Sequence, residues 1–415
     1  MIMIETTRRT LAVAFLAVSL VAAQDNPTAG QANPSRIGEI EAARRKKAEA
    51  LRDEPKSKLE EGLIVIKERR LLDKWQYGWG GVRPRIGALV TGSGFAAGPE
   101  YLRDDLKRGN VRVRLTTQFS ASLYQLYDAE LAFPKLAEDR VFVSLGARHR
   151  NYPRMQYYGP GPDSRQTGRS DYRLEDTRYG FVVGMRPIPQ VRFGVTGDLL
   201  QVNIGAGTSP RWISADQQYT EAQTPGIQRQ TDFLQGGVFG TIDTRDVPGG
   251  PKSGTLLHAE YTYNKDIDLE QNTHKRLNLE AQQYIPFFNK RRVIALRGRS
   301  EVTYKNPGQV VPFYLQPQLG GSNDLRGFRP FRFYDDNLIV FNAEYRYEVF
   351  AGMDMAVFGD AGKVFKSKND WNLHDLEGSY GVGMRFNARN AVFMRLDVGF
   401  SHEGFQVWLK FNNVF

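Results

Sequence analysis

From about Trp79 to the last residue, apolar and polar side chains alternate with a period of two, and no other pattern in this 415-residue chain limits its fold as tightly. Between Ala391 and Phe400 the apolar set is Val392, Met394, Leu396, Val398 and Phe400, while Arg395 and Asp397 share the opposite face. The final run puts Phe405, Val407, Leu409, Phe411 and the terminal Phe415 on one face, with Gln406, Lys410 and Asn412 on the other. A soluble sandwich would bury such an apolar face and a membrane barrel would turn it to lipid, so alternation alone leaves both open.

The number of runs and the lengths between them decide further. Sixteen candidate strands lie at roughly 82–92, 93–104, 110–120, 121–133, 140–150, 171–187, 190–205, 229–243, 253–266, 272–286, 290–306, 333–348, 351–365, 377–388, 391–402 and 404–415. An even count fits a bacterial outer-membrane barrel. If the first strand starts on the periplasmic side, the odd-to-even connections face outward, and these include the long ones, 151–170, 206–228 and 307–332. Even-to-odd connections are short, as at Pro187-Ile188-Pro189 and Phe350-Ala351-Gly352. A mean hydropathy of −0.47 with 41 glycines suits strands with a polar inner face better than membrane helices. A closed barrel also satisfies every backbone hydrogen bond in lipid, as an open sheet cannot. The expected fold is therefore all-β, a sixteen-stranded antiparallel transmembrane barrel. Tyr345, Tyr347, Trp408 and Phe415 near strand ends are expected to form interfacial aromatic girdles; scattered core aromatics are the alternative.

Before the barrel the chain reads differently. Arg8 and Arg9 precede the apolar run Leu11 to Ala22, and Val21-Ala22-Ala23 supplies a small-residue cleavage site, so residues 1–23 read as a signal peptide cut before Gln24. Residues 24–76 form a charged, mostly helical lead-in expected in the periplasm, with Asn33-Pro34 as a helix start and Ile37, Ile40 and Leu51 as a thin apolar stripe. Leu63 to Ile66 reads as helix or as a short strand, and the segment as a plug, a docking element or a solvated tether. Residues 77–415 are the barrel. With no cysteine, neither a disulfide framework nor a thiolate metal site is available.

Net charge is +10, and removing Glu5, Arg8 and Arg9 with the leader leaves +9. Because Lys and Arg are spread along the strands, anionic lipid headgroups or lipopolysaccharide are the expected partners, and nucleic acid is not. His149, His258, His274, His374 and His402 have no nucleophile motif or metal-ligand spacing around them, and Gly236-Gly237 and Gly249-Gly250 read as strand or turn glycines. No catalytic residue, metal or cofactor is expected.

One loop carries the functional signal. In Gly320-Gly321-Ser322-Asn323-Asp324-Leu325-Arg326-Gly327-Phe328 a single arginine stands among turn residues, and Phe358-Gly-Asp360-Ala-Gly362 begins 32 residues after it. Gly327 allows a tight turn or positive φ beside Arg326, whose guanidinium fork matches a carboxylate. Alternation turns Met353, Met355 and Val357 to lipid and Asp354, Phe358 and Asp360 to the lumen; likewise Glu344 and Arg346 face inward while Tyr345 and Tyr347 face out. An isolated Arg-Gly-Phe would be an exposed turn arginine, but here the glycines, the second motif and the strand order agree.

These two motifs, with the C-terminal phenylalanine strand, resemble the BamA/TamA superfamily of outer-membrane insertases and translocases, also called bacterial surface antigen proteins, over about 79–415. The resemblance implies that the sixth external loop folds into the lumen and that Arg326 meets Asp360 on the thirteenth strand, beside Glu344 on the twelfth. It also implies work on client outer-membrane or secreted proteins, by insertion into or transport across the outer membrane. Large members carry repeated periplasmic POTRA domains, and residues 24–76 resemble instead the short members without them. The implied working part is a weak seam between first and last strands, where Phe411 and Phe415 lie. Gly87 and Gly92, with Gly81 and Gly94, would weaken pairing of the first strand or merely relieve crowding. A passive pore and an outer-membrane enzyme, such as a lipase barrel, are the competing functions.

Overall fold

The computed structural model of the chain describes residues 80–388 and 391–411; the leader, the 24–76 lead-in and Phe415 lie outside them. One antiparallel sheet takes sixteen strands in chain order and curls into a nearly closed barrel. The first eleven are β1 (Val82–Gly87), β2 (Ala96–Asp105), β3 (Val111–Ser120), β4 (Gln125–Leu136), β5 (Val141–Tyr157), β6 (Ser170–Ile188), β7 (Val191–Ala206), β8 (Phe233–Asp243), β9 (Gly254–Asp266), β10 (His274–Phe287) and β11 (Arg292–Lys305). The last five are β14 (Asn337–Phe350), β15 (Met353–Phe365), β16 (Glu377–Ala388), β17 (Ala391–Ser401) and β18 (Gly404–Lys410). Two short strands, β12 (Gln318–Leu319) and β13 (Phe333–Tyr334), pair with each other inside the β11–β14 connection. Thus β14 and β15 are the twelfth and thirteenth barrel strands.

The two faces separate as the alternation requires. Tyr179, Phe181, Val183 and Met185 point outward on β6, and Tyr345 and Tyr347 do so on β14. Asp354, Ala356, Phe358 and Asp360 are buried inside. Trp408 departs from the expected girdle. It shares parity with Gln406 and Lys410, and its indole is buried on the inner face, so its size misled where its position did not.

Several boundaries also depart from the expected ones, three of them with a structural consequence. The first strand stops at Gly87 and the second begins only at Ala96. Leu89 and Val90 leave the sheet to pack on an aromatic core, Ser93 Oγ accepts from both their backbone N–H groups, and Gly92, at φ +88°, turns the chain back. At 17 and 19 residues, β5 and β6 exceed the roughly 9–11 residues needed to cross a bilayer, so residues 151–157 are strand, not loop. Their excess length carries Tyr152, Tyr157 and Tyr172 above the membrane, where they join Phe313 and Tyr334 of the β11–β14 connection. Ring centroids there stand 4.7 Å apart for Tyr172–Phe313 and 4.9 Å for Tyr157–Tyr334, and each ring buried this way contributes roughly 1.5–3 kcal/mol. This aromatic dome closes the outer end.

At the other end, the β8–β9 turn is longer than the tight periplasmic turns expected. Asp246 braces it by accepting from the backbone N–H groups of Lys252 and Ser253. The turn then reaches inward: Val392 N–H donates to Gly249 O at 3.0 Å, Arg346 donates to Pro251 O, and Lys252 pairs with Glu348 at 2.8 Å.

The dome carries a pH dependence. Asp335, just before β14, is buried, and burial pushes its carboxyl up to about 6; the Asp336 N–H it accepts pulls it down and the Asp336 carboxylate pushes it up. Its folded pKa lies above the ordinary value of 3.8, so its stabilisation is complete below that value and is lost as pH rises through about 6. Asp335→Asn should therefore make the dome more resistant to protease at neutral pH, and no different from the parent at pH about 4, in paired limited-proteolysis series.

Candidate functional site

The loop tip is built by its glycines. Gly320 and Gly321 adopt φ +109° and +106°, a region closed to most side chains, and a Cβ on Gly320 would lie 2.5 Å from Arg329 O. The N–H groups of Gly321 and Phe328 both donate to Leu325 O, which rolls the segment into a tight turn. Leu325 and Phe328 then bury against Leu319, Phe333, Leu338, Val340 and Val364. With its apolar neighbours turned to that cluster, Arg326 points at the wall.

Arg326 is fully buried. Its Nε and backbone N–H donate to Asp360 Oδ2 at 3.0 and 3.1 Å, Nη2 donates to Asp360 Oδ1 at 2.7 Å, and Nη1 to Glu344 Oε2 at 2.7 Å. The guanidinium lies 3.4 Å from the ring centroid of Phe358, which closes its face. Asp360 also accepts from Asn342 Nδ2 and Ser379 Oγ, and Glu344 from Arg346 and Arg385. Arg385 and Arg395 in turn share Asp397. Burying such a set need not add net stability, but stranding one member costs about 3–5 kcal/mol.

Gly327 has a different role from the expected turn. Its φ is ordinary; what it allows is close approach, since a Cβ there would sit 2.4 Å from Phe400 O. Gly399 makes the same allowance from the wall, where a Cβ would meet Arg326 O at 2.4 Å. The tip backbone therefore lies directly on β17. Gly362 is likewise crowded, a Cβ there falling 2.7 Å from Ile339 O.

Each carbonyl from Ser322 to Gly327 has a donor, as buried backbone must. Ser322 O takes Arg395 Nη2, Asn323 O takes Arg297 Nη1 and Asp324 O takes Asn342 Nδ2. Arg326 O accepts from Trp408 Nε1 at 2.7 Å and Gly327 O from Ser401 Oγ at 2.9 Å. Trp408 is on β18, the last barrel strand. On the other flank, Thr91 Oγ1 lies 3.3 Å from Ser322 Oγ, and Gly92 approaches Pro330. Among the described residues β1 and β18 form no ladder with each other. The loop thus touches both flanks of the gap from inside.

The seam residues scatter. Gly87 ends β1 opposite Ala96, but Gly92 lies beyond the strand, in the β1–β2 connection against loop six. Phe411 packs against Phe393 and, across the gap, Phe95, with centroids 5.9 and 6.2 Å away. Sequence reading overlooked the roles of Asn342, Ser379, Arg385 and Trp408, although inward parity placed each of them. Of the histidines, His149 and His258 bond threonines and His274 bonds Asn272 O, while His402 packs its ring on Phe328 of the loop tip at 5.4 Å; no acid or histidine group among the described residues is spaced to hold a metal.

Removing the guanidinium tests the pin. Arg326→Ala should leave a folded, heat-modifiable barrel whose loop six is cut by external protease, with loop protection weakened by about 3–5 kcal/mol. Arg326→Lys should restore only part of it, because an ammonium cannot bridge two carboxylates as a fork. A loop protected equally in all three proteins would overturn the assignment.

With the geometry in view, comparison with known proteins places it. No characterised sequence in the curated collection matches the chain. Among solved structures, BamA from Haemophilus ducreyi lacking POTRA domains 1–3 superposes with TM-score 0.59 at 12% identity, covering 79% of this chain and 69% of that one. CdiB from Escherichia coli does so with TM-score 0.54 at 13% identity, covering 80% of this chain and 62% of that one. At such identities the likeness is one of fold. The family model of the Omp85 superfamily domain matches residues 106–405, and the chain belongs to the Omp85 superfamily of outer-membrane β-barrels.

Proposed function

We propose that this barrel assists the insertion of client proteins into the outer membrane, or their transport across it, by a seam between β1 and β18 that loop six holds from the lumen. One observation carries the reading. The Leu325–Phe328 tip is bound to the last strand through Trp408 while its neighbours Ser322 and Pro330 meet the first hairpin at Thr91 and Gly92, where the described edges have no shared ladder. Releasing the tip from Asp360 removes the brace from both flanks at once. Exposed strand edges are ready partners for an arriving strand, which is the chemistry a folding or translocating client presents.

A passive pore is the weaker reading because both ends of the barrel and the β14–β18 side of its lumen are covered. The dome covers the outer end, the pinned loop lies across the β14–β18 wall, and the Thr244–Ser253 turn crosses the periplasmic mouth to Val392. The amino-terminal segment, on this reading, lies in the periplasm.

Photocrosslinking amino acids at Ile86 and Val407, introduced in living cells, should capture outer-membrane or secreted proteins. Trp408→Phe, which keeps a smaller aromatic ring and deletes the N–H to Arg326 O, leaves a buried carbonyl unpaired at about 1–3 kcal/mol and should increase capture. Adducts with lipid alone, together with steady conductance in planar bilayers, would refute the proposal and favour the pore.

A further inference from the structure

While loop six folds inward, the β15–β16 connection folds outward over the lipid-facing wall. Trp371 Nε1 donates to Ser300 Oγ at 3.0 Å, and Ser300 is an outward-facing residue of β11. Beneath this cover Ser300 and Ile339 are 7% and 2% exposed, whereas their outward neighbours Leu279 and Phe341 are 42% and 39% exposed. Below the indole a groove of about 640 Å³ runs obliquely over β7 to β14. Its floor is low because Gly240 pairs with Ala259 and Ala281 with Gly298, between the raised side chains of Phe193, Leu257 and Phe341.

An unusual charge lies beside the groove's upper end. Lys363, paired with Ile339 on the outward face of β15, is 8% exposed. Its Nζ donates to Asn372 Oδ1 at 2.8 Å and stands 5.7 Å over the Phe365 ring, and no carboxylate among the described residues comes within ion-pair distance. An ammonium has three donors, so two remain for another acceptor. A buried cation on a lipid-facing wall is costly without a counter-charge. Lys368, on the β15–β16 connection that follows, holds its Nζ over Tyr304 of β11. β15 runs toward the external side, so both cations lie where the outer leaflet's headgroups begin.

The geometry points to a binding site for a phosphorylated, multiply acylated glycolipid of the outer leaflet, its phosphates at Lys363 and at Lys368 and an acyl chain in the groove beneath Trp371. Lys363 adjoins the groove through its strand partner Ile339, so one amphiphile reaches both. The site requires that the barrel stand in an outer membrane, and it does not depend on client insertion.

The full chain, purified in a mild detergent, is mixed with bisphosphorylated lipid A, with the dephosphorylated form or with phosphatidylglycerol, and bound lipid is counted by native mass spectrometry. Wild type should retain a single bisphosphorylated lipid A. Lys363→Met should weaken that retention about tenfold, the loss of one charge-assisted contact, without changing retention of the dephosphorylated form. Gly298→Phe, which fills the groove, should weaken both. Lys368→Met carries the same expectation as Lys363→Met and does not disturb the sheet, so misfolding of one variant, read from heat-modifiable mobility, leaves the other decisive. Unchanged retention in the folded variants, or phosphatidylglycerol held as tightly as lipid A, would overturn the proposal.

Discussion

The buried guanidinium of Arg326 organises the inside of this barrel. Arginine cannot shed its charge, so burying it obliges the wall to supply carboxylates. Asp360 and Glu344 meet that need, and each is in turn held by further donors, Asn342 and Ser379 on one and Arg346 and Arg385 on the other. The strands β14 to β18 thereby share one polar network with a loop that enters between them. Such a network fixes one arrangement, since a small displacement would leave several charges without partners.

Much of this was legible in the sequence because a strand's period is two. Parity alone put Asp360, Glu344, Arg346, Arg395 and Asp397 on the inner face, and the glycines around Arg326 marked a loop that turns sharply. What parity cannot report is where two distant faces meet. Trp408 illustrates the limit: its parity was inward, yet a large aromatic near a strand end also fits an interfacial belt, and only the carbonyl of Arg326 explains why it belongs inside. Gly327 was read as a turn residue for the same reason, its real constraint being the backbone of Phe400, far away in sequence.

The strand ends were less legible than the strands. Leu89 and Val90 read locally as more of the apolar strand; their destination, the aromatic dome, is assembled from strand ends and loops distant in sequence. The same holds for β5 and β6, whose excess length serves the dome and not the membrane. In each case a tertiary aromatic core overrode a local pattern that remained valid on its own terms. The β8–β9 turn is similar, since its inward course depends on Glu348 of β14 and on Val392 across the barrel on β17.

The contact between Thr91 and Ser322 joins residues 231 positions apart, and the one from Trp408 to Arg326 needs the last barrel strand. Contacts of such long range form late, after the entropy of closing large loops has been overcome. A chain cut short or stalled before β18 therefore lacks the indole that fastens the loop. The two contacts that join loop six to the flanks of the β1–β18 gap can thus both form only in a chain whose last barrel strand is present.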